Sequence, residues 1–240
     1  MFTYSDLQVP INIYGGADAA DLPRYSCADI ARATRVPAAA VRAWMRGLHH
    51  TRSAVSRPSH SAANTKPNDI NRLLSFKNLL EINVLRALRQ VHSSHLPSVR
   101  EAIERALTDH QIDSLLIHAD MCASGGTLFL NYYFEIAKLS NTQQLAVSKR
   151  LEVSLSRVST YDSLHPQFFP IPRASASGDA RPILISPYIS FGDAVIARCG
   201  VTTAVISSRF DLGETRESII EDYVLQEEEF DEAILYEAAA

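Results

Sequence analysis

A mainly helical α+β fold that opens on a winged helix-turn-helix is predicted by three features of the sequence. Apolar residues recur at helical spacing on both sides of a tight turn between residues 26 and 47. Two short β-type runs, Ile183-Leu184-Ile185 and Ala194-Val195-Ile196, follow a linker of small residues. Three short helical stripes then fill residues 202–240. The 240 residues are 46% hydrophobic and 21% charged, which excludes wholesale disorder and fibrous repeats. Three segments are expected: a winged helix-turn-helix over 1–74, a helical and β-hairpin middle region over 75–173, and an acidic trihelical module over 174–240.

Residues 1–24 mix apolar and small side chains around Gly15-Gly16 and Pro23, a loop pattern with room for one short strand. Ser26 is placed to cap a first helix that turns its small face, Ile30 with Ala31, toward a neighbour. Thr34-Arg35-Val36 supplies a tight turn, and Pro37 presets the first turn of a second helix that buries Val41, Trp44 and Met45. The polar, basic stretch from His49 to Asp69 reads as a loop or wing. Ser75 caps a third helix with Phe76, Leu79, Leu80, Ile82, Val84, Leu85 and Leu88 at helical spacing, ending near His92. Pro97 starts another helix with Val99, Ile103 and Leu107 on one stripe.

Leu115-Leu116-Ile117 and Thr127-Leu128-Phe129-Leu130 pair as a hairpin across Gly125-Gly126. A helix is expected from Asn141 to about Val158 with Leu145, Leu151 and Leu155 inward. Phe168-Phe169-Pro170-Ile171-Pro172 is extended, because each proline disfavours helical geometry in the residue before it. Ala174-Ser175-Ala176-Ser177-Gly178-Asp179 is the clearest linker. The last three helices carry the stripes Val205, Ile206 and Phe210; Ile219 and Ile220; and Phe230, Ile234 and Leu235.

The net charge of −4 hides a gradient. Residues 1–105 hold 14 basic against 8 acidic side chains (+6), residues 106–201 hold 7 against 8 (−1), and residues 202–240 hold 2 against 11 (−9). A basic first third attracts polyanions and an acidic end repels them. The second helix of the amino-terminal hairpin fits that pattern. Ala38 and Ala39 allow close approach to base edges in a major groove, and Arg42, one turn on, can fork onto a guanine or clamp a phosphate. Arg35, Arg46, Arg52 and Arg57 are placed to grip the backbone on either side.

The last two helices, around Gly213 to Ile234, also have a helix-turn-helix outline. The final helix carries Glu227, Glu228, Glu229, Asp231 and Glu232 and no Lys or Arg. Carboxylates facing phosphates repel, so that module is not expected to read DNA; it either contacts protein, a basic partner or a second copy, or is a scaffold with a solvated acidic face.

The stretch from Ser190-Phe191-Gly192-Asp193 through Tyr223 to Tyr236-Glu237 resembles the trihelical module of VapB-type antitoxins, the subgroup paired with PIN-domain toxins that carries a MerR-like winged helix-turn-helix in front. The segments Asp29-Ile30-Ala31-Arg32, Val36-Pro37, Val41-Arg42-Ala43-Trp44-Met45-Arg46-Gly47 and Leu74-Ser75-Phe76-Lys77-Asn78-Leu79-Leu80-Glu81 resemble the same subgroup. Val224 stands where a turn glycine is usual, and Arg198-Cys199 where a small pair is usual. The resemblance implies an antitoxin of a type II toxin–antitoxin system that binds operator DNA and neutralises a ribonuclease toxin by protein contact. The alternative is a stand-alone helix-turn-helix regulator whose later domains dimerise or sense a ligand. A homodimer or higher oligomer is expected, because one short recognition helix reads too few base pairs.

Signals for other chemistry are weak. No phosphate-binding glycine loop is present. His92 and His95 show a permissible metal spacing without a third ligand. Cys122 and Ser124 have no His–acid partner near them in sequence. No enzymatic activity, metal or cofactor is expected. With three scattered cysteines, no basic-apolar leader and no run of about 20 apolar residues, a cytoplasmic location without membrane insertion is expected.

Overall fold

The computed structural model describes residues 17–50, 73–91, 101, 134, 140–161, 165–174 and 180–239. Within them it has the expected mainly helical α+β class, with seven helices and one four-stranded antiparallel sheet. The expected wing beyond His50, which itself ends a helix, the helix expected over 97–107 apart from Glu101, which is helical, the hairpin of 115–117 with 127–130, and linker residues 175–179 lie outside the described residues. So do the histidine pair at 92 and 95 and residues 122 and 124.

Helices α1 (Cys27–Thr34) and α2 (Ala38–His50) form the amino-terminal hairpin. The chain returns at Leu74, which pairs with Tyr25 through backbone bonds of 2.7 and 2.8 Å and feeds α3 (Phe76–Val91). Ser75 caps α3 through Asn78, whose N–H donates to the serine Oγ at 3.2 Å while its Oδ1 accepts from the serine N–H at 3.1 Å. Phe76, Leu79 and Ile82 are buried, and so are Leu80, Val84, Leu85 and Ala87. A helix apolar on most sides needs cover on both flanks. α1 supplies one flank and α4 (Asn141–Leu155) the other.

Asn83 and Ser154 pin the crossing of α3 and α4. Asn83 Nδ2 donates to the Ser154 carbonyl at 3.1 Å, and Ser154 Oγ donates to the Asn83 carbonyl at 3.2 Å. Both residues are buried, so these bonds satisfy groups that would otherwise be desolvated without partners.

α4 stops at Leu155, short of the expected Val158. Val158-Ser159-Thr160-Tyr161, a β-branched and aromatic run, instead forms β1 (Val158–Tyr161), paired with β2 (His165–Phe168). Phe168 is opposite Ile185 of β3 (Ile183–Ile185), which pairs in turn with β4 (Ala194–Ile196). The inward face of α4 is set by Val147, Leu151 and Ser154; Leu145, two residues from Val147, is 72% exposed rather than inward. α5 (Thr203–Asp211), α6 (Arg216–Tyr223) and α7 (Glu227–Glu237) complete the chain. Ile206, Ile219, Phe230, Ala233 and Tyr236 face inward, while Val205, Phe210 and Leu235, expected on the inner stripes, are exposed.

One hydrophobic core runs through all three expected segments, from Ile30 and Val41 through Leu79 and Leu151 to Ile196, Ile219 and Phe230. Polar contacts join the two ends of the chain. Tyr25 Oη donates to the Gly192 carbonyl at 3.1 Å, and Arg24 pairs with Asp193 at 2.5 Å. Gly192, at φ +87°, has no room for a side chain: a Cβ would overlap the Tyr25 hydroxyl. Arg32 of α1 pairs with Glu237 of α7 at 2.5 Å and lies over the Tyr236 ring, 5.8 Å from its centre. A strap over residues 169–174 completes the join. Both Glu232 oxygens accept the Arg173 backbone N–H, at 2.6 and 2.8 Å, and one also accepts that of Ala174 at 2.6 Å. The Arg173 guanidinium donates to the Arg32 carbonyl at 2.6 Å, satisfying an orphan group in the last turn of α1.

Glu81 lies inside this assembly, 3% exposed, with Asn78 Nδ2 donating to it at 3.1 Å. Burial pushes its carboxyl up to about 7 from an ordinary 4.5, with Asn78 and Lys77 opposing the rise. The folded chain thus keeps a proton that the unfolded chain releases near pH 4.5. This group favours folding fully below pH 4.5, and its contribution falls away as the pH rises to about 7. Glu81→Gln is expected to flatten the decline and to exceed the wild type at pH 8 by on the order of 2–3 kcal/mol. Urea unfolding at pH 4.5 and pH 8 checks this, and parallel curves for the two proteins would refute it.

Candidate nucleic-acid interface

The amino-terminal unit is built from its caps outward. Ser26 Oγ accepts the Asp29 N–H at 3.1 Å while the Asp29 carboxylate accepts the Ser26 N–H at 2.8 Å, a reciprocal capping box that starts α1. α1 ends at Arg35, whose backbone is left-handed at φ 57°. Val36 is buried in the angle between the helices. The Pro37 carbonyl accepts the N–H groups of Ala40 and Val41 at 2.8 and 3.0 Å, which begins α2.

Burial of Val41 and Trp44 fixes which face of α2 points out. Ala39, Arg42 and Ala43 are exposed, and Ala38 is half-buried. The open face is therefore a small–Arg–small surface centred on Arg42; the side chain of Arg46, one turn further along α2, lies outside what the structure describes. Ala43 was not among the residues singled out from sequence; its position four residues after Ala39 was the signal. Arg35 sits at the turn, and its guanidinium donates to the Pro172 carbonyl, so it holds the strap as well as flanking α2. Cys27 lies near Arg42; burial raises its thiol and the Arg42 charge partly opposes that. Arg52 and Arg57 lie outside the described residues.

The carboxy-terminal unit repeats this backbone plan. α6 has eight residues, as α1 does, and starts from Thr215, whose hydroxyl accepts the Ser218 N–H at 3.3 Å. It ends on a left-handed residue, Val224 at φ 52°, and α7 begins after two intervening residues. Arg198 clasps the turn from the β4 side, donating to the Val224 carbonyl and to the Glu229 carboxylate at 2.8 and 3.0 Å.

The five carboxylates expected together on the outer face of this unit are divided by the fold. Glu227, Glu228 and Asp231 are exposed, whereas Glu229 is 6% and Glu232 2% exposed. The reason is local. Glu229 faces Arg198 and accepts the Gln226 N–H at 2.8 Å as the capping partner of α7, and Glu232 holds the strap. Arg216, stacked over Phe230 at 5.5 Å, pairs with Glu227 at 3.3 Å and Asp231 at 3.0 Å. Carboxylates in the first turn also complement the positive end of the α7 dipole, so part of the acidic run stabilises its own helix.

Among the described residues, no group of three or more His, Cys, Asp or Glu could hold a metal ion, and no helix is long and apolar enough to cross a membrane.

Comparison with known proteins bears on the carboxy-terminal unit first. Residues 183–236 match DUF433, a family of unknown function. That match begins at β3 and ends inside α7, so it takes in the acidic helix-turn-helix and leaves out the basic one. No curated protein matches the chain. Among solved structures, the crystal structure of Rv2018 from Mycobacterium tuberculosis is similar over 89% of this chain and 98% of its own, at a TM-score of 0.64 and 20% identity. The likeness is one of fold, and it extends across both units.

Val224 is β-branched in a conformation that suits glycine, at a cost of about 1–2 kcal/mol. Val224→Gly relieves that strain but frees the unfolded chain, leaving a net stabilisation of about 0.5–1 kcal/mol. A rise in the urea midpoint is the expected result, and a fall would mean that the exposed valine contributes a contact outweighing the strain.

Proposed function

We propose that this chain is a DNA-binding antitoxin of the type II class, reading operator DNA through α2 and contacting a basic ribonuclease toxin through its acidic carboxy-terminal unit. The observation that carries the DNA reading is the open face of α2. Burial of Val41 and Trp44 leaves Arg42 outward between Ala39 and Ala43, small residues that let a helix lie deep in a major groove. The +6 charge of residues 1–105 supports it through release of counterions from DNA. A homodimer presents two such helices to half-sites about 34 Å apart.

The protein arm rests on Glu227, Glu228 and Asp231, which are exposed on α7 within a segment of charge −9. Such a surface complements a basic nuclease cleft and speeds its encounter. In this reading the two activities belong to separate helices of one protein, whose two ends are joined by Arg32 and the strap.

A salt-dependent gel shift with the DNA upstream of the coding frame tests the first arm. Arg42→Ala is expected to lose about 1–3 kcal/mol of affinity and to flatten the salt dependence; unchanged binding would sink the reading of α2. The second arm is tested by co-expression with a neighbouring PIN-type frame. Changing Glu227, Glu228 and Asp231 to Lys is expected to abolish co-purification. A chain that binds its upstream DNA but retains no neighbour product is a stand-alone regulator.

A further inference from the structure

The eleven carboxylates of residues 202–240 all lie at or after Asp211, and the only charged residue from Thr202 to Phe210 is Arg209. α5 is therefore the neutral helix of an acidic unit. Burial of Thr203 and Ile206 sets its inner side. At about 100° per residue, the outer side carries Ala204, Val205, Ser208 and Leu212, which ends the helix in right-handed geometry. All four are exposed, Val205 by 42% and Leu212 by 85%. Arg209 is drawn off this side. Its guanidinium pairs with Glu214 and, at 2.6 Å, with Asp222, and it lies over the Tyr223 ring, 5.1 Å from its centre. Asp211, at the edge of the stripe, accepts the Ser207 hydroxyl at 3.5 Å.

Single exposed apolar side chains are ordinary on a protein surface, whereas an uncharged stripe two turns long marks a contact surface. The other exposed apolar residues on helices stand among charges. Leu145 and Val153 of α4 alternate with exposed Lys149, Arg150 and Glu152, and Leu235 of α7 shares a stripe with Glu228 and Asp231. Charge also selects the occupant of α5. A basic partner finds its counter-charges on α7. A second copy carries the same −9 over residues 202–240, and is repelled where α6 or α7 would face its own equivalent. At α5 two such units meet with their carboxylates to the side. The spacing is its own complement as well. Val205 and Leu212 are seven residues apart with Ser208 between them. Two α5 helices laid antiparallel and crossing at Ser208 set Val205 of each copy against the partner's Leu212, and the small serine lets the axes approach.

We infer that the outer side of α5 is the contact between two copies of this chain, packed antiparallel through Val205, Ser208 and Leu212. The inference rests on the homodimer in the proposed function and gives that homodimer its surface; it uses nothing from the reading of α2 or of α7.

Sedimentation equilibrium of the full chain over a wide range of concentration tests the inference. One helix from each copy is a small contact, so the wild type is expected as a dimer that dissociates on dilution. Val205→Lys and Leu212→Glu are each expected to weaken the dimer about thirtyfold or more. The double variant is expected to recover most of the affinity, because opposite charges then face each other across the contact. Val153→Glu adds the same charge at an exposed apolar site on α4, and is expected to leave the dimer as it is. Leu212 is so open that its variant keeps the wild-type helix content by circular dichroism, which separates a lost contact from a lost fold. A wild type that stays monomeric overturns both this inference and the homodimer of the proposed function. A dimer indifferent to both single variants, or dissociated equally by Val153→Glu, overturns the inference alone. A double variant as weak as the single ones overturns the antiparallel packing.

Discussion

The carboxylate of Glu232 governs how the parts of this protein sit together. It is almost wholly buried, and its oxygens are filled by backbone N–H groups of the strap. A buried carboxylate left without donors would carry a desolvation cost of several kcal/mol, so the strap cannot leave without a large penalty. The strap in turn carries Arg173 to the end of α1 and offers the Pro172 carbonyl to Arg35. One acidic side chain on the last helix thus fixes the first helix in space. The pair of Arg32 and Glu237 works in the same direction, with Thr203 donating to the other Glu237 oxygen at 2.5 Å.

The two helix-turn-helix units show how a shared backbone can serve opposite surfaces. Both use an eight-residue helix, a left-handed residue and a short link. Neither turn residue is glycine: Arg35 holds one and Val224 the other. Each strained position has a polar clasp beside it, the Pro172 carbonyl on the Arg35 side chain and Arg198 on the Val224 carbonyl. What differs is the outward side of the second helix, small residues around an arginine in one case and carboxylates in the other. The physics of the turn is common, and the chemistry lies in three or four exposed side chains.

Much of this was legible in the sequence where the signal is local. Ser26, Pro37 and Ser75 marked helix starts because caps act within one turn. Val41 and Trp44 were readable as inward from spacing alone, and the two β runs at 183–185 and 194–196 form strands as expected. The division of the acidic run was not legible. Glu229 and Glu232 are directed inward by partners at positions 198, 173 and 174, which no pattern within α7 reveals. Leu145, Val205, Phe210 and Leu235 were assigned inward from apolar character, yet each is exposed, and only the packing of neighbouring elements decides which apolar residues are covered. The β1 strand was absorbed into the preceding helix because Val158 continued its apolar spacing, and only pairing with β2 decides the matter.

Gly192 and Tyr236 bear on what the carboxy-terminal unit is when considered alone. The boundary of the family match, 183–236, cuts just before Glu237 and well after Arg32, Tyr25 and the strap. Excised there, the unit would uncover the Tyr236 ring, the Gly192 carbonyl and the Glu232 carboxylate in one stroke, all of them now sealed by residues that precede it in the chain. In this protein the first helix and the strap are therefore the wall that turns a half-shell into a closed body.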